Sequence, residues 1–217
     1  MRFVTPAFLV CALSWSMSPT PAEARIGESQ EEFERRLLRP DVGKFLPRER
    51  NTDPIREAEM LRQQPFNDAR AHFPAGTREG KYWKSAVPNM LSNDNGWRVH
   101  VFYHENSSVL EAYQRVGEVL SEFEIRNILT VNQGGSEWRR VEPESPEAKA
   151  SAIGCDYQLV DGTRRARVVG NWLVVYATSL DEHVREQARI QAENRARAHR
   201  ERLRQQQEAA PGSTSGF

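Results

Sequence analysis

The run from Cys155 to Ala177 constrains the fold more than any other part of the chain. Cys155 to Val160 ends at Asp161-Gly162. Thr163 to Val169 ends at Gly170-Asn171, and Trp172 to Ala177 follows. Gly and Asn accept positive φ at low cost, so both dipeptides suit tight two-residue hairpins. The run therefore predicts a three-stranded antiparallel meander. A chain that builds such a sheet must cover at least one of its faces.

Two further strands are legible. In Trp97 to His104 the residues alternate, with Trp97, Val99, Val101 and Tyr103 pointing one way and Arg98, His100, Phe102 and His104 the other. Glu137 to Val141 reads as a short strand joined to the meander by the loop 142–154. Residues 40–95 are rich in Pro, Asn and Arg. There Asp53-Pro54 predicts a short helix to about Gln63, and Tyr82 to Val87 an edge strand ended by Pro88.

Helix starts are read from four capping boxes: Ser29…Glu32, Ser108…Glu111, Ser121…Glu124 and Ser179…Glu182. In each, the serine oxygen can accept the N3 amide while the glutamate reaches back to the cap amide. The first predicts a helix over 30–38 with Phe33 and Leu37 on its buried face. The second predicts a helix over 109–116, because Val109, Ala112, Tyr113 and Val116 fall at helical spacing; Gly117 would end it. The third predicts 122–133, with Leu120 and Ile125 as a hydrophobic staple and Gly134-Gly135 as the stop. Phe123, Ile125, Ile128, Leu129 and Val131 spread around that helix, which predicts deep burial. The fourth opens a long helix over 180–209, dense in Arg, Glu and Gln. Asp181–Arg185 and Glu193–Arg197 are its expected i,i+4 pairs. No a/d heptad is sustained along it.

These elements predict an α+β protein. An antiparallel sheet has helices packed on one face, and a long charged helix follows the last strand. The expected division is a leader over 1–24, an α+β domain over 25–179, the charged helix over 180–209 and a flexible tail over 210–217.

The leader has the three parts of a cleavable secretory signal: Arg2, an uncharged apolar run from Phe3 to Trp15, and Ala22-Glu23-Ala24 as the cleavage site. Its apolar run is shorter than the ~20 residues a membrane span needs. Cleavage after Ala24 predicts a secreted or periplasmic protein. Cys11 leaves with the leader. Val10 is not the small residue expected before a lipidated cysteine, so the mature chain keeps one thiol, Cys155, and no internal disulfide. Thirty acidic residues balance thirty basic ones. That balance argues against a nucleic-acid partner and gives no overall pull to an anionic membrane.

The residues with chemical potential have plain structural readings. His100 and His104 share a strand face but lie about 13 Å apart, too far for one ion. Cys155 alternates with Tyr157 and Leu159 and reads as a core thiol; an intermolecular disulfide and a nucleophile are the alternatives. Trp83, Trp97, Trp138 and Trp172 read as core and hairpin residues, with a shared aromatic surface as the alternative. Asp161-Gly162 lacks the oxygen ligands of a calcium loop. Asn106-Ser107-Ser108 matches the glycosylation sequon. No catalytic, cofactor-binding or metal-ligating residue is assigned.

Gly27, Ser29, Glu32, Phe33, Leu37 and Pro40 stand where the SmpA/OmlA-type small outer-membrane proteins, and the related β-lactamase-inhibitor-like modules, place their N-terminal motif. This short segment resembles those modules. Leu38 stands where they have Gly, and the lipid-anchor cysteine is absent. Three further pieces resemble secreted bacterial proteins of uncharacterised activity. They are Ile26-Gly27-Glu28-Ser29, Glu124-Ile125…Ile128-Leu129…Asn132 before Trp138, and Asp161-Gly162 with Ala166. The first resemblance implies a module that binds proteins rather than catalyses; the second implies an exported α+β domain and no particular activity. The expected function is an exported, non-enzymatic protein-binding or envelope-associated module with an envelope or secreted protein as partner. The alternative is a small exported hydrolase with a loop-built site in 40–95.

Overall fold

The computed structural model describes residues 26–37, 46–47, 61–85 and 96–209. The expected leader, the start of the helix at Asp53-Pro54, Pro88 and the tail over 210–217 lie outside the described residues. The architecture is α+β. Helices α1 (Gln30–Leu37), α2 (Asn67–Arg70), α3 (Glu122–Val131), α4 (Pro146–Ala150) and α5 (Thr178–Ala209) accompany eight strands. These are β1 (Leu46–Pro47), β2 (Arg78–Ser85), β3 (Gly96–His104), β4 (Ser107–Val116), β5 (Trp138–Arg140), β6 (Tyr157–Leu159), β7 (Arg164–Val169) and β8 (Trp172–Ala177).

The strands form one antiparallel sheet in the order β1-β2-β3-β4-β8-β7-β6-β5. The chain runs inward from one edge to β4. It then crosses a face as α3, reaches the far edge at β5, and returns inward to β8 beside β4. Sheet order thus lays α3 against the second half of the sheet.

The expected meander is present. Val169 pairs with Trp172, so Gly170-Asn171 is a two-residue loop, and Gly170 sits at φ 58°. The β6–β7 turn is longer, spanning 160–163. Asp161 Oδ1 accepts the Thr163 amide at 2.9 Å and its hydroxyl at 2.7 Å, closing an Asx turn.

The largest correction falls on 109–116, which is the strand β4 and not a helix. His104 pairs with Ser107, and the two loop residues Glu105 and Asn106 have φ 49° and 65°. That is the backbone of a type I′ hairpin, which returns the chain directly alongside β3. Phe102 pairs with Leu110 but Tyr103 with Ser108, so Val109 is an extra residue in a bulge. The bulge breaks the two-residue alternation and leaves a spacing that mimics a helix. Ser108 instead ties down the N-terminal segment. Its amide donates to Glu28 O at 2.8 Å, and its carbonyl accepts the Gly27 amide at 2.9 Å.

The Ser29 and Ser121 boxes form with both bonds in place. The Ser179 box does not. Helix α5 begins at Thr178 directly off β8, so Ser179 lies inside its first turn. Two other readings change. β2 runs 78–85 and is not an edge, because β1 pairs outside it. The loop 142–154 contains α4, capped by the Ser145 side chain on the Ala148 amide.

Helices α1 and α3 cover one face. Phe33 and Leu37 pack on Tyr82, Val99, Val101, Tyr103 and Tyr113. Leu120, Ile125 and Leu129 pack on Ala166, Leu173 and Val175. The opposite face is also covered, by Phe66, Ala69 and Ile153 and by Leu180 and Val184 at the start of α5. Each large side chain so buried contributes roughly 1.5–3 kcal/mol.

Candidate functional site

α3 is not deeply buried. Only Ile125 and Leu129 are fully covered, while Phe123 is 72 % exposed. The apolar residues that spread around this helix serve two purposes. Those facing the sheet anchor it, and the rest reach solvent.

Between α3 and the β5 edge lies a groove of about 530 Å³. Glu122, Ile125, Arg126, Leu129, Thr130 and Gln133 form its helical wall. Glu137, Trp138, Arg140 and Tyr157 form the sheet side. Arg140 pairs with Tyr157 and Trp138 with Leu159, so these side chains share the α3 face of β5 and β6. Trp138 Nε1 donates to Leu129 O at 2.7 Å. This carbonyl lies in the last turn of the helix and also accepts the Asn132 amide at 3.0 Å. The bond fixes the indole as the inner side of the groove.

The groove has a mixed lining, more polar than apolar. Half-buried Trp138 and Tyr157 supply most of its apolar surface, over the buried Ile125 and Leu129. Glu122 and Glu137 oppose Arg126 and Arg140, and none of the four is in an ion pair among the described residues. Phe123, three residues before Arg126 and seven before Thr130, adjoins the outer wall. On the other side Val160 is 66 % exposed, and its amide donates to Glu137 O at 2.9 Å. Beyond β5 the sheet ends. Val160 N–Glu137 O and Val141 N–Asp156 O face inward, so alternation turns the backbone groups of Trp138 and Arg140 outward.

The singled-out residues lie elsewhere, apart from Trp138. His100 is 4 % exposed, packed between the rings of Phe66 and Trp172 on the other face. Its Nδ1 lies 2.7 Å from Glu79 Oε1, and Arg70 Nη2 donates to Glu79 Oε2 at 2.8 Å. Burial opposes the Glu79 charge, but the His100 hydrogen bond and the charges of His100, Arg70 and Lys81 hold its carboxyl below the usual range. His104 lies near Glu105 at the β3–β4 turn. Among the described residues no group of three or more His, Cys, Asp or Glu is placed to hold a metal ion.

Cys155 is buried just before β6, with Sγ donating to Tyr157 O at 3.4 Å. Burial pushes its thiol up to about 11, helped by Asp181 and Asp156 and opposed by Arg165. A thiol held in that state is a poor nucleophile at neutral pH. The tryptophans are dispersed. Trp172 is a core residue edge-on to Phe66, whereas Trp97 and Trp138 flank the α1–α3 face.

Sequence reasoning named Trp138 but missed the groove. The signal lay in α3, where Phe123 falls out of phase with Ile125 and Leu129. No protein-family model, no curated protein and no solved structure matches the chain.

Proposed function

We propose that this chain is a non-enzymatic protein-binding module that acts after export, and that the α3–β5 groove receives an extended segment of its partner. The observation that carries this reading is the groove itself. Its two aromatic side chains Trp138 and Tyr157, its mixed-charge groups outside any ion pair and its open strand edge match what an extended peptide presents: apolar and charged side chains for the groove and backbone groups for β5. Phe123 and Val160 extend the apolar surface on both sides.

A hydrolase that works through a histidine or cysteine would place that residue against open space. The groove lining has neither, and the histidine that meets a carboxylate, His100 beside Glu79, is itself buried against Phe66 and Trp172. No helix among the described residues is long and apolar enough to cross a membrane. Export rests on the leader read in residues 1–24.

The test is a photo-crosslinking residue at Thr130, inside the groove, against one at exposed Glu144, outside it. The expected result is one recurrent protein adduct from Thr130 that disappears with Arg126→Glu. Equal, non-recurrent adducts from both positions would sink the reading. Intact mass of the purified protein should correspond to a chain beginning at Arg25; an uncut chain retained in the cytosol would remove the export half.

A further inference from the structure

In the second half of α5 every residue from 192 to 207 is exposed. Ala, Arg, Gln and Glu favour helix intrinsically, and Glu186 and Glu193 grip Arg189. The segment therefore holds its shape without a core beneath it. Its charge is far from the chain's overall balance: Arg195 to Arg204 holds five arginines and one glutamate.

The charges are also sorted by side. At 3.6 residues per turn, Ala192, Arg195, Ala196, His199, Arg202 and Leu203 share one face. Glu186, Glu193, Glu201 and Glu208 lie on the opposite side, interleaved with Arg197 and Arg204. One face is thus free of acid and built on small residues, with Leu203, 44 % exposed, as its apolar contact. The other is largely self-neutralised.

We propose that this acid-free face rests on an anionic phospholipid bilayer, as a peripheral contact separate from the groove. A helix with its acids on one side can lie with the other side along a planar surface, and alanines let the arginines approach the headgroups closely. A duplex nucleic acid fits less well, because exposed Leu203 between the cations has a place in the headgroup boundary and none against a phosphate backbone. The local sorting of charge supplies the membrane attraction that the overall balance conceals.

The test is flotation of the full protein with vesicles of phosphatidylcholine alone or mixed equally with phosphatidylglycerol. Binding is expected to the mixed vesicles alone and should collapse at about 0.5 M salt. Arg195→Gln with Arg202→Gln should weaken it about 25-fold, taking about fivefold per arginine. Arg197→Gln with Arg204→Gln removes equal charge from the far side, about a Debye length away, and should weaken it less than about threefold. Circular dichroism should show equal helicity in both variants. Equal binding to neutral vesicles, equal losses in the two variants, stronger retention by duplex DNA at matched salt, or self-association that buries this face would each overturn the proposal.

Discussion

Arg165 in β7 and Asp181 in the first turn of α5 meet with Nη1 and Oδ2 2.5 Å apart, both nearly removed from solvent. The other carboxylate oxygen accepts the amides of Ala152 and Ile153, each at 2.9 Å. One carboxylate therefore joins the sheet, the loop after α4 and the root of the long helix. This partner replaces the Asp181–Arg185 pair expected from helix spacing. Asp181→Ala would strand a buried guanidinium and two buried amides, and is expected to cost about 3–5 kcal/mol in urea unfolding. Arg165→Met with Asp181→Leu should recover part of that loss. A cost under about 1 kcal/mol for Asp181→Ala would show that the junction is held by packing alone.

Glu79 makes the fold sensitive to acid. Its carboxyl is held below the ordinary 4.5 in the native state, so the open chain binds the proton more readily. The stabilisation is full above about pH 4.5 and is lost as pH falls through the lower native value. Thermal melting from pH 7 to pH 3 should show the wild type losing stability more steeply than Glu79→Gln. Identical slopes would remove Glu79 as a source.

Tyr82 acts at the other end of the scale. Burial, with Glu34 nearby, raises its hydroxyl to about 12 from 10, although Tyr103 opposes part of the shift. Above pH 10 the open chain ionises first, so stability falls between about pH 10 and 12, by up to roughly 3 kcal/mol. Tyr82→Phe should flatten that decline. At pH 7 it should cost about 1 kcal/mol, because the hydroxyl donates to Glu34 Oε1 at 2.9 Å.

The capping boxes give a paired contrast. Ser121→Ala removes an acceptor from the Glu124 amide and should cost about 1 kcal/mol. Ser179→Ala lies within a helical turn and should change stability by less than about 0.5 kcal/mol. Equal costs would mean that Ser179 caps after all.

Groove residues should separate binding from folding. Phe123→Ser removes an exposed apolar side chain, so its unfolding midpoint should stay within about 0.5 kcal/mol of wild type while the Thr130 adduct is lost. Trp138→Phe removes the bond to Leu129 O and should cost about 1 kcal/mol or more.

Local chemistry determined a good deal by itself. The β7–β8 hairpin, β3, α1 and the start of α3 follow from turn residues, alternation and caps that act within a few positions. Tertiary structure decided the rest. Whether 109–116 became helix or strand depended on a two-residue turn and one bulge, because pairing beside both β3 and β8 outweighs weak helical spacing. The same holds for Asp181, whose partner across the sheet defeats a neighbour on its own helix. Of the groove only the out-of-phase Phe123 on α3 was locally legible, since its two walls come from α3 and the β5–β6 edge and are brought together only by the crossing of α3 over the sheet.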